Sequence, residues 1–362
     1  MMQIRVWIVR FAALALAMVA PVYTATARTV PVEAPPVTTE NPAALHGLGR
    51  VAIGAFTVDI LDRVEASADI GGLELVTGAP TDIVVNLVGT DPTRYNLLVE
   101  TMYAQFVADL TAKGYAVVPH AELAANAEFA KQKPGVSRLE KTASGHNHYV
   151  TAQNLPIYMV DEGFIIAKPA EFQVFGKKKS VRDPFVSWGS SFGASFVMLD
   201  YARQRQVAKS LGAALLNVRI TLLGGQAHIN RDFWMTKGSG KADAAMTFVP
   251  LYNRVVVVPA DGISPYGRVA LGQPVVTDKL GELVSTTSAA NHALQTAGNA
   301  AIVASRFLGA FAGGGGGVIG SMHYGNRSSY DLRTDEATFE AQLAKGFADV
   351  SQSLSAELAR GR

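Results

Sequence analysis

The chain has 362 residues, enough for one large domain or two smaller ones, and with 49% apolar against 17% charged residues it can bury a sizeable core. Its 32 basic and 30 acidic side chains nearly cancel, which gives no electrostatic ground for a nucleic-acid or acidic-membrane partner. There is no cysteine, which excludes disulfides, thiol catalysis, cysteine-ligated metals and a lipid anchor on a cysteine.

Residues 1–27 read as a cleavable export signal. Arg5 and Arg10 give a positive start, Phe11 to Val22 a short apolar core, and Ala25-Thr26-Ala27 an A-x-A cleavage site. The apolar run is short for a membrane span. The expected location is therefore a bacterial periplasm, with the mature chain starting near Arg28. The signal carries two arginines and no acid, so the mature chain holds 30 basic and 30 acidic residues. Residues 28–47 are rich in Pro, Thr and Ala without an apolar period and read as a disordered leader.

A single domain is expected from 48 to 362. Val51 to Ile60 (VAIGAFTVDI) reads as a strand, and residues 83–89 as a short strand or the entry to a helix. Thr90 or Asp91 can cap that helix, with Pro92 in its first turn. Leu98, Met102, Phe106 and Leu110 recur at intervals of four, Tyr95, Val99 and Val107 widen the stripe, and Gly114 stops it. Tyr115 to Pro119 reads as a buried strand and residues 121–131 as a short helix. Residues 134–195 lack a helical period and form an irregular, strand-rich insertion, with strands at 155–160, 164–167 and 171–175. A basic loop tip, Lys177-Lys178-Lys179, lies within it.

Residues 200–212 then predict a helix ended by Gly212, and 215–223 a strand. That strand sets Leu216, Val218, Ile220 and Leu222 on one face and Asn217, Arg219 and Thr221 on the other. One or two strands follow over 244–259, and an Ala-rich helix over 286–312. The last helix is the clearest: Thr334 is the expected cap, and Phe339, Leu343, Phe347, Val350, Leu354 and Leu358 form one apolar face. The fold class is mixed α/β, a sheet with helices packed on it.

Three motifs carry possible chemistry. Gly189-Ser190-Ser191-Phe192-Gly193 matches G-x-S-x-G, the strained strand-to-helix turn that exposes a nucleophilic serine. With Asp261 and His292 supplying the acid and base, Ser191 defines the alternative reading, a serine hydrolase; the plain reading is a small-residue turn. No HGGG-type oxyanion segment lies upstream. Other acids and histidines in an allowed order are Asp232, Asp243, His228 and His323. His146-Asn147-His148 sets two imidazoles on one face, a metal-site spacing for which His120 is the nearest third candidate; the plain reading is an exposed polar loop. The glycines 313–317 lack the Lys-Ser/Thr of a phosphate loop and read as a connector. No catalytic or metal residue is favoured, and no cofactor is expected.

Three phrases in order, Val51 to Phe56, Leu110 to Val118 and Ala208 to Ala213, carry a resemblance. They resemble the curli-secretion-channel family (CsgG-like) and the related α/β domain at the N-terminus of TolB. There a strand of the type VAV-x-x-F precedes a helix ending L-x-x-x-G-[FY]-x-VV, and a later helix ends A-x-x-LGA and runs into a strand. The resemblance implies a periplasmic, non-catalytic α/β domain that binds an envelope protein or a second copy of itself. The family's channel members are lipoproteins, whereas this chain has no cysteine. A soluble or peripherally outer-membrane-associated relative is therefore expected.

Overall fold

The computed structural model describes residues 35–67, 80–142, 145–157, 171–174, 177–180, 192–230, 239–287 and 326–362. They belong to one unit, Ala34–Arg362. The architecture is mixed α/β, as the periodicities predict. Strand β1 (Val37–Glu40) comes first, then β2 (Arg50–Ser67) and β3 (Pro80–Val88). Helix α1 (Tyr95–Ala112), β4 (Ala116–Val117) and the short α2 (His120–Ala125) follow. Next come β5 (Arg138–Thr142), β6 (Gly145–Thr151), β7 (Glu171–Val174) and β8 (Lys177–Ser180). Helix α3 (Phe192–Leu211) leads into β9 (Ala214–Leu223), β10 (Gln226–Asn230) and β11 (Ser239–Asp243). Strands β12 (Ala245–Phe248), β13 (Arg254–Val258), β14 (Gly267–Leu271), β15 (Val275–Lys279) and β16 (Glu282–Ser285) complete this run. Strand β17 (Asn326–Arg333) and helix α4 (Glu336–Arg360) end the chain.

The main sheet runs β1-β14-β13-β9-β2-β3-β17-β16. Its centre is the pair of parallel strands β2 and β9, in register from Val51↔Ala214 to Leu61↔Leu223. Both are rich in β-branched and aliphatic residues, as central strands buried on two faces require. Strand β2 is longer than VAIGAFTVDI predicts. Its first half pairs with β9, while its last five residues, Arg63 to Ser67, pair with β3. Strand β6 runs antiparallel to it on the other side.

Helices α1 and α4 cover one face. Phe56 is the hub there, with its ring 5.6 Å from that of Tyr103, 6.1 Å from Phe106 and 6.3 Å from Phe347. All six apolar positions of the last helix are buried. Helix α3 lies on the opposite face, where Asn217 Nδ2 donates to Gln204 Oε1 at 2.6 Å. The alternation of β9 thus serves an apolar layer on one side and a polar, covered layer on the other. Gly114 and Gly212 each end a helix with φ of 86° and 58°, the left-handed conformation that glycine adopts without strain.

Several boundaries differ from expectation. Val37–Glu40 is a strand paired with β14, and Leu45 and Leu48 are buried, so the second half of the expected leader belongs to the fold. Residues 177–180 are a strand paired with Glu171–Val174 rather than a loop tip. Helix α3 starts at Phe192, eight residues earlier than its periodicity shows. The cap of α4 is Asp335, whose carboxylate accepts from Thr338 N at 2.8 Å, while Thr334 Oγ1 donates to Leu280 O at 2.7 Å. The expected strand at 164–167, the Ala-rich helix from residue 288 onward and the glycines 313–317 lie outside the described residues.

Candidate functional site

On the face covered by α1 and α4, a group of titratable side chains forms where β2 bends. The register of β2 against β6 shifts between Leu61↔Asn147 and Arg63↔His146, leaving Asp62 as the extra residue of a bulge. Asp62 lies two positions past Ile60, the strand partner of His148, and so shares the face of His148 and His146. His148 Nε2 is hydrogen-bonded to Asp62 Oδ2 at 2.8 Å, and His146 Nδ1 lies 3.7 Å from Asp62 Oδ1. His148 is buried, and His146 is part-exposed.

The starts of α1 and α4 close over this group. The Tyr95 ring stands edge-on to His148, with centroids 5.2 Å apart and planes at 85°, and its other neighbour is Phe339 at 5.8 Å. Tyr95 Oη and Thr90 Oγ1 share a 2.9 Å hydrogen bond. Burial pushes the Tyr95 phenol up to about 12; the Thr90 bond opposes this, and the carboxylates of Asp62, Glu336 and Asp91 add to it. Asp91 caps the turn before α1 by accepting from Thr93 N at 3.0 Å, and its own N–H donates to Glu336 Oε2 at 2.7 Å. The hydrogen bond to Thr93 holds the Asp91 carboxyl below its usual range. Chemically, an imidazole bonded to a carboxylate can hold or pass a proton. Here the group also ties β2 and β6 to two helix starts.

A second buried group lies on the other face. Asp59 Oδ2 accepts from Arg219 Nε at 2.7 Å and from Thr221 Oγ1 at 3.0 Å. Asn253 brackets the Thr221 backbone, accepting from its N–H at 3.2 Å and donating to its carbonyl at 2.8 Å. These bonds cover the polar face of β9 with polar contacts.

The sequence candidates fall as follows. His146 and His148 are brought together, but in a strand against Asp62 rather than in an exposed loop. His120 opens α2, whose Glu122 bonds Arg50 at the opposite end of β2 from Asp62. Among the described residues no group of three or more His, Asp or Glu is arranged to hold a metal ion. Asp261 sits in an exposed turn, where Oδ1 accepts from Ile263 N and Ser264 N at 2.9 Å each. The Ser264 hydroxyl bond, then these backbone bonds, hold its carboxyl below the usual range, so its acceptor capacity serves its own turn. Ser191 and His292 lie outside the described residues, and α3 begins at the residue after Ser191.

Asp62 and Asp59 were not singled out by sequence, and Tyr95 only as part of the apolar stripe of α1. Asp59 and Asp62 are three apart, an odd spacing that sets the two carboxylates on opposite faces of a strand of period two. No family model matches this chain, no curated protein matches it, and no solved structure matches it.

Proposed function

We propose that this chain is an exported, non-enzymatic protein of the cell envelope, periplasmic after loss of residues 1–27, that works by binding or assembly. The observation that carries this reading is the outline of the sheet. Among the described residues, β5 pairs only with β6 and β16 only with β17, so each offers one edge for a further strand. A free edge is a template for pairing with another chain. The three-phrase resemblance and the export signal agree with it. The Asp62–His148 pair acts in this reading as a brace, fixing the bend of β2 against the starts of α1 and α4. Cell fractionation with N-terminal sequencing tests the address. The expected result is a mature chain starting near Arg28 in the periplasm or loosely held at the outer membrane. An uncleaved chain in the inner membrane overturns it.

A serine hydrolase on Ser191 is a second reading, favoured by one observation. Helix α3 opens directly after Ser191, as a helix follows the nucleophile in an elbow. The engagement of Asp261 in its own turn weighs against its role as the acid. A fluorophosphonate probe separates the readings. Labelling that disappears in Ser191→Ala establishes the hydrolase, and absence of labelling removes it.

A further inference from the structure

We propose that β5 is a self-pairing edge, through which two copies of this chain join their sheets about a two-fold axis at Leu139. This rests on the assembly reading above and names its partner. Among the described residues β5 has no second partner strand, and Val136 just before it is 72% exposed and Leu139 within it 45%, both large apolar side chains. Between them, Ser137 Oγ donates to Asn96 Oδ1 of α1 at 2.9 Å, which anchors the entry of the strand.

The sequence of the strand selects one antiparallel register. With the axis at Leu139, Leu139 faces its own copy, Arg138 takes the position opposite Glu140, Ser137 opposite Lys141, and Val136 opposite Thr142. Opposite charges meet twice, an apolar pair sits at the centre, and no like charges oppose. Cross-strand pairs of these kinds stabilise a ladder, and like charges directly opposite destabilise it. The neighbouring registers fail this criterion. An axis at Arg138 sets that arginine against its own copy, and an axis at Glu140 sets that glutamate against its own copy; an axis between two residues would oppose side chains of different faces and forms no ladder. The Arg138 guanidinium stacks over the Tyr149 ring at 5.1 Å. A two-fold pairing of this kind is isologous and closes as a dimer, not a fibre.

The absence of cysteine gives a direct test. Residues directly opposite in an antiparallel pair have Cα atoms about 4.5–5.5 Å apart, within the span of a disulfide. The mature Leu139→Cys chain, oxidised gently, is expected to form a disulfide-linked dimer. The control Ile263→Cys, more exposed at 76% but in the Asp261 turn, is expected to remain a monomer on the same gel. By sedimentation, Arg138→Glu is expected to lose the dimer and Arg138→Glu with Glu140→Arg to regain it. Unchanged melting temperatures show that each variant is folded. Equal cross-linking of the two cysteine variants, or a charge swap that restores nothing, overturns the β5 edge. If the wild type still self-associates in that case, assembly stands and the surface is a different one. A monomer at every concentration overturns this proposal and leaves binding to another envelope protein as the role tested by fractionation and capture.

Discussion

Tyr95 is held between His148 and Phe339 with its hydroxyl on Thr90, and the phenol stays neutral to about 12. In an unfolded chain a tyrosine ionises at about 10. The folded group is therefore raised, and its contribution is complete below about pH 10 and lost as pH rises towards 12. A gap of about two units corresponds to about 2–3 kcal/mol. Urea titrations between pH 8 and 12 should show the wild type losing about that much more stability than Tyr95→Phe; parallel curves would refute the assignment. Asp62 supports the neighbouring His148, so Asp62→Ala should cost about 1–3 kcal/mol at neutral pH, and Asp62→Asn, which keeps an acceptor, less. Equal midpoints for wild type and Asp62→Ala in urea would remove the brace. The two imidazoles were legible in the sequence as a same-face pair. Their carboxylate was not, because it comes from a strand 86 residues away, and no local pattern shows that β2 and β6 pair.

Helix α4 was the most legible element, since six apolar residues at helical spacing have no other way to be buried together. What the stripe did not reveal is that the helix is enclosed beyond it. Gly346, Ser351, Ser353 and Ser355 are buried too, and Ser351 Oγ bonds Asp109 of α1. Helix propensity and packing therefore disagree at Gly346. Alanine there gains about 1 kcal/mol of propensity. Its added Cβ would lie 2.3 Å from the Phe248 ring carbon, a contact that forces the ring to move. Overpacking of this kind costs about 1–3 kcal/mol, so Gly346→Ala should be net destabilising. A raised melting temperature would show that Phe248 has room. Phe347→Ala, which empties the position against Phe56, should cost about 3–5 kcal/mol. Capping was less legible than packing. Thr334 and Asp335 are both capping residue types, and only the neighbouring chain decides between them: Leu280 O takes the Thr334 hydroxyl. Asp335→Ala should cost about 1 kcal/mol.

The whole molecule shows where local pattern stops being informative. Adjacent strands β1 and β14 are joined by residues more than two hundred positions apart, as in Thr38 opposite Ala270. Composition alone reads VTTE after a Pro-rich stretch as leader, because nothing near it in sequence completes its ladder. In the fold, this segment and the end of α4 hold each other. Thr39 Oγ1 donates to Glu357 Oε1 at 2.7 Å, Glu40 pairs with the buried Arg268, and Gly47 N donates to Gly361 O at 3.2 Å. Gly361 is so close to Leu45 that a Cβ there would lie 2.5 Å from the leucine Cβ. A chain starting at residue 48 therefore loses an edge strand, the Glu40 partner of Arg268 and the burial of Leu45. Leu45 alone contributes about 1.5–3 kcal/mol, and with the lost hydrogen bonds the deficit should exceed about 3 kcal/mol. Chains starting at 28 and 35 should unfold at one denaturant midpoint, and the chain starting at 48 well below it. If the chain starting at 48 unfolds with the other two, β1 contributes nothing and the fold begins where composition placed it.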